Sequence, residues 1–411
     1  MPLVAYPTCM TTRWARAFAV QYKQDLRFAE DYASYAGAME RLFDAYVAPH
    51  RAPDRPNLVV LNEDIGLLTA FIGARGAEAR RCGREPGAIQ RAFGLLGEAY
   101  RPQVMHYLTL FPSVSPTRAL FLALSDIMSR AFLETFAALA ARHGVYLVAG
   151  ASLTPATTRA TAKEAALLGD PQRPRGAPVY VARGPEVYNA AYLWGPDGAL
   201  IGCSRKVNLT PEEGPDGLDL TAGRLGQDDV PIFDTPAGRL GIAISLDAFI
   251  PAYIAYLDEA GAEVLAQPEA NPGPWAAYAD MTTEPPGWQP QTWMASCWRA
   301  VQESRNLRYG INPFMVGNLF DLPFDGQSAI FARSGGEHTR GYYAGNAAPV
   351  PGEPDSGARL GFVALAPWVA PSDKSREALE ERARALAPGS GAPEENAYRE
   401  TCVWADLELS S

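Results

Sequence analysis

The chain has 411 residues, 47% of them hydrophobic and 20% charged, and a net charge of −10. These are values of a globular protein able to bury a large core. The acidic balance argues against a general nucleic-acid binder, which needs a basic footprint.

Five scattered cysteines (Cys9, Cys82, Cys203, Cys297, Cys402) and four histidines (His50, His106, His143, His338) suggest neither a disulfide framework nor a metal site. The N-terminus has no basic stretch ahead of a long apolar core and does not read as a signal peptide. The most apolar run, "ALFLALSDIMSRAFLETFAALAA", contains Asp126, Arg130 and Glu134. Charges are costly inside a bilayer, so it reads as a core helix; no membrane partner and a cytoplasmic location are expected.

Strand and helix patterns alternate along the chain, which predicts an α/β fold. Strands are expected at 17–22 and 57–64, with a helix at 31–47 between them. Residues 67–116 are less regular and read as an insertion, placed over a pocket or at a protomer contact. One long helix is expected over 117–143, with Thr117 as N-cap and Gly144 as its stop. A strand follows at 145–153. Residues 187–209 and 231–247 each read as a hairpin, turning at Pro196-Asp197-Gly198 and Pro236-Ala237-Gly238. Further on, helices are expected at 250–262, 291–309 and 372–387, with strands at 263–271, around 314–332 and at 401–409. No linker or composition shift divides the chain, which predicts a single domain over 1–411.

Polar residues that can do chemistry stand at predicted strand ends. Glu63 follows "LVVLN", Lys206 follows "LIGCSR", Glu213 lies seven residues later, and Ser245 follows "GIAI". A carboxylate, an ammonium and a short nucleophile can perform acyl transfer without histidine. The Glu moves the proton, the Lys stabilises the oxyanion, and the second Glu keeps the Lys in place and charged.

The segments "NLVVLNEDIGL", "YNAAYLWGPDGALIGCSRKVNL", "GRLGIAISLDAFIPAY", "AGAEVLAQPEAN", "FDGQSAIF" and "VWADLEL" together resemble the nitrilase superfamily of carbon–nitrogen hydrolases. The resemblance implies a four-layer α-β-β-α sandwich and a homodimer or larger homo-oligomer. It also implies hydrolysis of a small-molecule nitrile, amide or N-carbamoyl substrate through an acyl-enzyme, with no cofactor. The family's Glu–Lys–Cys triad and supporting Glu fall on Glu63, Lys206, Ser245 and Glu213. Leu246, Asn271 and Trp275 are the candidate substrate-binding residues; loop anchoring is the alternative for Asn271 and Trp275.

Three positions depart from the family's pattern. Asn62 stands where proline is common, Ala252 where Glu is frequent, and Ser245 in the place of the nucleophilic cysteine. A serine hydroxyl is a far weaker acid than a thiol and needs a strong base. Ser245 is therefore compatible with a weak nucleophile, with lost activity, or with a cysteine replaced in the laboratory. Two rival functions follow: a binding protein on the same fold without turnover, and an acyltransferase to an amine.

Overall fold

The computed structural model describes residues 13–153, 156–157, 160–227, 230–278, 287–333, 339–341, 359–369 and 375–410. Two mixed sheets dominate them. In the eight-stranded first sheet the order is Leu322–Phe324, Met315–Leu319, Arg13–Lys23, Asn57–Val60, Tyr146–Leu153, Tyr188–Trp194 and Leu200–Arg205, with Thr401–Leu409 also paired to Arg13–Lys23. The second has seven strands, in the order Thr339–Gly341, Arg359–Leu365, Ala329–Ala332, Tyr309–Asn312, Val264–Ala266, Gly238–Ile242 and Ile232–Thr235. The strands that lead into the site run parallel to their neighbours: 57–60 beside 13–23 and 146–153, and 238–242 beside 264–266.

Side-chain alternation sorts these strands into layers. Ala15, Ala17, Ala19, Leu58 and Val60 point inward and share one buried cluster with Leu240, Ile242, Val264 and Ala266 of the other sheet. The small alanines let the two sheets approach. Phe18, Val20 and Val59 point outward and pack with helices Tyr32–Tyr46 and Thr135–His143. Ala243 and Leu265 meet helices Pro251–Glu259 and Gln289–Glu303 on the opposite side. The result is the expected α-β-β-α stack.

Local rules explain most boundaries. The Asp31 side chain accepts the Ser34 N–H at 2.7 Å and starts the first long helix. In the first predicted hairpin, Gly198 takes φ 79 at the turn, a conformation that glycine tolerates.

Two helices differ from expectation. The 117–143 segment divides into Pro116–Ala123, Ser125–Ser129, a π-helical turn Arg130–Glu134, and Thr135–His143. Its cap is Ser115, whose side chain accepts the Arg118 N–H with Pro116 at the first turn, in place of Thr117. Gly144 does end it, at φ 59. The helix expected over 291–309 stops at Glu303, because the Asp258 carboxylate captures the N–H groups of Arg305, Asn306 and Leu307 at 2.8, 2.6 and 3.1 Å. The first residues of the helix expected over 372–387 lie outside the described residues; the helix described is Arg376–Leu386.

The 67–116 segment folds into short helices followed by Ala88–Ala99 and Arg101–Leu110. Ile89, Ala92 and Leu96 join the outer core of the first sheet. The Asp321 carboxylate receives the N–H groups of Gly87 and Ile89 at 2.7 and 2.8 Å. At the other end, Ser115 and Arg118 hydrogen-bond to Asp219, on the loop that carries Glu213. No helix among the described residues is long and apolar enough to cross a membrane.

Candidate active site

Three parallel strands deliver an acidic or hydroxyl side chain three residues past their ends. Glu63 follows the strand ending at Val60, Ser245 the one ending at Ile242, and Glu269 the one ending at Ala266. Lys206 comes directly after the hairpin strand ending at Arg205. Ligands of open α/β sheets gather beyond the carboxyl ends of such strands.

Glu63, Lys206, Glu213 and Ser245 are all buried, at 3%, 2%, 8% and 3% exposure, so their charges interact with little screening. The Lys206 ammonium sits between two carboxylates, 2.8 Å from Glu63 Oε1 and 2.8 Å from Glu213 Oε2. Asn189 Nδ2 donates to the same two groups, to Glu63 Oε1 at 2.7 Å and Glu213 Oε1 at 2.6 Å. This amide fixes the separation of the two acids. An ammonium has three protons; two are directed at carboxylates and the third remains for a substrate oxygen.

Burial alone would lower the Lys206 pKa, but Glu63 and Glu213 outweigh it and hold the ammonium charged well above its ordinary range. Burial raises Glu63; Lys206 opposes that shift, and the Glu213 charge adds to it. Asp64 beside it takes φ 58 and is pushed up to about 8, first by burial, then by Glu63 and Glu213, against a hydrogen bond with Ser152. Gly150 makes this corner possible, since a Cβ there would stand 3.0 Å from the Glu63 Cα.

Ser245 opens a short 3₁₀ turn, Ser245–Phe249, and takes φ 47. The left-handed region costs a non-glycine residue roughly 1–2 kcal/mol, and strain of this kind gathers at functional turns. Its N–H donates to Pro268 O at 3.0 Å. Asp247 then anchors the turn to the Lys206 strand: its carboxylate accepts the Val207 N–H at 3.2 Å, the Asn208 N–H at 2.8 Å and Asn208 Nδ2 at 2.8 Å. Burial pushes Asp247 up to about 6. One carboxylate thus joins the Ser245 turn to the backbone that follows Lys206.

Sequence reasoning missed Glu269. Its carboxyl is fully buried, interacts with the Ser245 hydroxyl and feels the charges of Glu63 and Lys206. The strand-end offset that singles out Glu63 and Ser245 also singles out Glu269, and was the available signal.

The substrate-binding candidates separate. Leu246 is half-buried directly after Ser245. The Asn271 amide donates to Gly273 O and Asp325 O, both at 3.1 Å, and accepts from Gln289 Nε2 at 2.9 Å. Trp275 is fully buried, donates from Nε1 to Gln327 Oε1 at 2.9 Å, and packs against Phe314 with ring centroids 5.0 Å apart. Both side chains are occupied in holding the 271–275 loop to the 325–327 segment. Among the described residues no group of three or more His, Cys, Asp or Glu is arranged to hold a metal ion.

The sandwich thus carries a buried Glu–Lys–Glu cluster and a serine turn at its strand ends. The profile of the family described as Carbon-nitrogen hydrolase matches residues 105–336, which include Lys206, Glu213, Ser245 and Glu269. The chain belongs to that family. A curated relative, "Hydrolase in pqqF 5'region" of Pseudomonas protegens, is 30% identical over 110 residues, which are 27% of this chain and 37% of that protein. Among solved structures, Nit3 of Saccharomyces cerevisiae, a member of branch 10 of the nitrilase superfamily, has 15% identity and a TM-score of 0.46, covering 96% of this chain and 90% of its own. A carbon-nitrogen hydrolase from Helicobacter pylori G27 has 17% identity and a TM-score of 0.45, with 91% and 92% covered.

Proposed function

We propose that the protein hydrolyses a carbon–nitrogen bond of a small amide, nitrile or N-carbamoyl compound through a covalent acyl-enzyme on Ser245, the whole chain acting as one hydrolase unit. The observation that carries this reading is the Lys206 ammonium, held between the buried carboxylates of Glu63 and Glu213, on a strand end whose next two residues are bonded to Asp247 of the Ser245 turn. In this scheme Ser245 Oγ attacks the substrate carbon. The oxygen or nitrogen that gains charge meets the Lys206 ammonium, whose position is preset and costs no reorganisation. Glu63 serves as the general base for the water that cleaves the ester. Glu213 keeps Lys206 charged and in place.

The test is a screen of nitriles, primary amides and N-carbamoyl compounds, reading ammonia release and covalent mass shifts. Ser245→Cys is expected to raise acylation strongly, since a thiolate is the better nucleophile and the volume change is small. A protein that binds a compound equally well in both forms, with neither adduct nor turnover in either, is a binding protein instead. Added amine appearing in the product identifies acyl transfer.

A further inference from the structure

We propose that Glu269 is the catalytic base that removes the hydroxyl proton of Ser245, the group that allows a serine to act in this slot. The inference rests on Ser245 being the nucleophile of the reaction above. Glu269 is fully buried, and its Oε2 has no hydrogen-bond partner. Leaving a buried carboxylate oxygen without a hydrogen-bond partner costs stability, so such an atom calls for an explanation. Its other oxygen is fixed: Oε1 accepts from Gln267 Nε2 at 2.5 Å, and the same amide donates to Ser296 Oγ at 2.7 Å. One oxygen of the carboxyl is therefore held and the other has no partner, and the Ser245 hydroxyl is near enough to favour its charged form. The Ser245 backbone N–H bonds to Pro268 O, one residue before Glu269, so nucleophile and base belong to one rigid corner.

Glu63 is less suited to this step, because its Oε1 already receives Lys206 Nζ and Asn189 Nδ2. A charge held by two donors is a weaker base. The groups that face Glu269 are Ser245, Gln267, Glu63, Lys206 and Cys297. Burial, and next the Glu63 charge, push Glu269 up to about 8. That basicity is comparable to an imidazole and suits proton transfer near neutral pH.

The proton balance closes without further reagents. As the Oγ–C bond forms, the Ser245 proton passes to Glu269 Oε2 and the carbonyl π electrons move to the oxygen beside Lys206. When the C–N bond breaks, the departing nitrogen takes that proton and Glu269 is a carboxylate again. Water then attacks the ester carbon and gives one proton to Glu63. The Oγ–C bond breaks, and that proton returns to Ser245 Oγ.

The experiment compares four full-length proteins: the native chain, Glu269→Gln, Ser245→Cys, and the double variant. The probe is p-nitrophenyl acetate, with the nitrophenolate burst and the mass of one acetyl group as readouts across pH. Acylation of the native chain should rise with pH up to about 8, as Glu269 loses its proton. Glu269→Gln should lower it about 100- to 10,000-fold, the usual worth of a general base, and remove that limb. On the Ser245→Cys background the same change should cost less than about tenfold, because a thiolate needs far less help. Equal losses on both backgrounds indicate a structural role and overturn the proposal, as does an unaffected Glu269→Gln or an inert native chain beside an active Ser245→Cys form. If neither the native chain nor Ser245→Cys acquires an acetyl group, the hydrolase reading itself fails and this role with it.

Discussion

Two buried ionic clusters differ in balance. One surrounds Arg130, itself 2% exposed. Its guanidinium bonds Asp126 Oδ1 at 2.7 Å, Glu134 Oε1 at 3.1 Å and the Pro178 carbonyl. The remaining capacity of Asp126 is taken by the N–H groups of Asp170 and Tyr180, at 2.7 and 2.9 Å. The other cluster surrounds Lys206 and contains the carboxyl groups of Glu63, Asp64, Glu213 and Glu269. Burial first, and then the neighbouring carboxylates that one ammonium cannot balance, hold Asp64 and Glu269 up to about 8, and Glu269 keeps an unpartnered oxygen. The Arg130 cluster fastens loops to a helix, with Arg130 Nε alone left without a partner. An unbalanced cluster stores proton affinity near neutral pH, which general acid–base chemistry requires.

Three changes would break or sharpen that contrast. Lys206→Met should have the largest effect on activity, lowering acylation by about 100- to 1,000-fold through loss of the oxyanion donor. The measurement is the acyl-adduct rate of protein whose circular dichroism shows it folded. Retained acylation would remove Lys206 from the chemistry.

Arg130→Met should act the other way round. Removing one partner of a buried pair costs roughly 3–5 kcal/mol, because Asp126 is left uncompensated. Urea unfolding should show that loss, while the folded fraction keeps its acylation rate per molecule. A stable but inactive variant would mean that this cluster is functional as well.

Asp64→Asn should have the smallest effect, and its sign follows from linkage. The folded-state pKa of Asp64 is raised to about 8, so between the unfolded carboxylate value and about 8 only the folded state holds the proton. Stability therefore falls as pH rises through that window. The asparagine variant lacks this group, so its stability relative to the native chain should increase from pH 5 towards about pH 8. Parallel stability–pH curves would show that Asp64 is not a proton store.

Much of this was legible in the sequence. The Asn57–Val60 strand, both hairpins and Thr401–Leu409 follow from alternation and turn residues. Glu63, Lys206 and Ser245 stand out by their place after strands and Glu213 by its spacing from Lys206, and the structure sets Glu63 and Glu213 against the Lys206 ammonium. The tertiary structure alone decided three things. The helix at 289–303 stops where a distant Asp258 captures its next N–H groups. Asn271 and Trp275 are engaged with residues about fifty positions away. Glu269, twenty-four residues after Ser245, meets it only because the 238–242 and 264–266 strands lie parallel and in register, Leu240 opposite Val264. Periodicity and turn chemistry act over a few residues and are written locally. Which strand ends face each other is fixed by non-local pairing, and a charge learns its partner, its burial and its proton affinity only when that pairing forms.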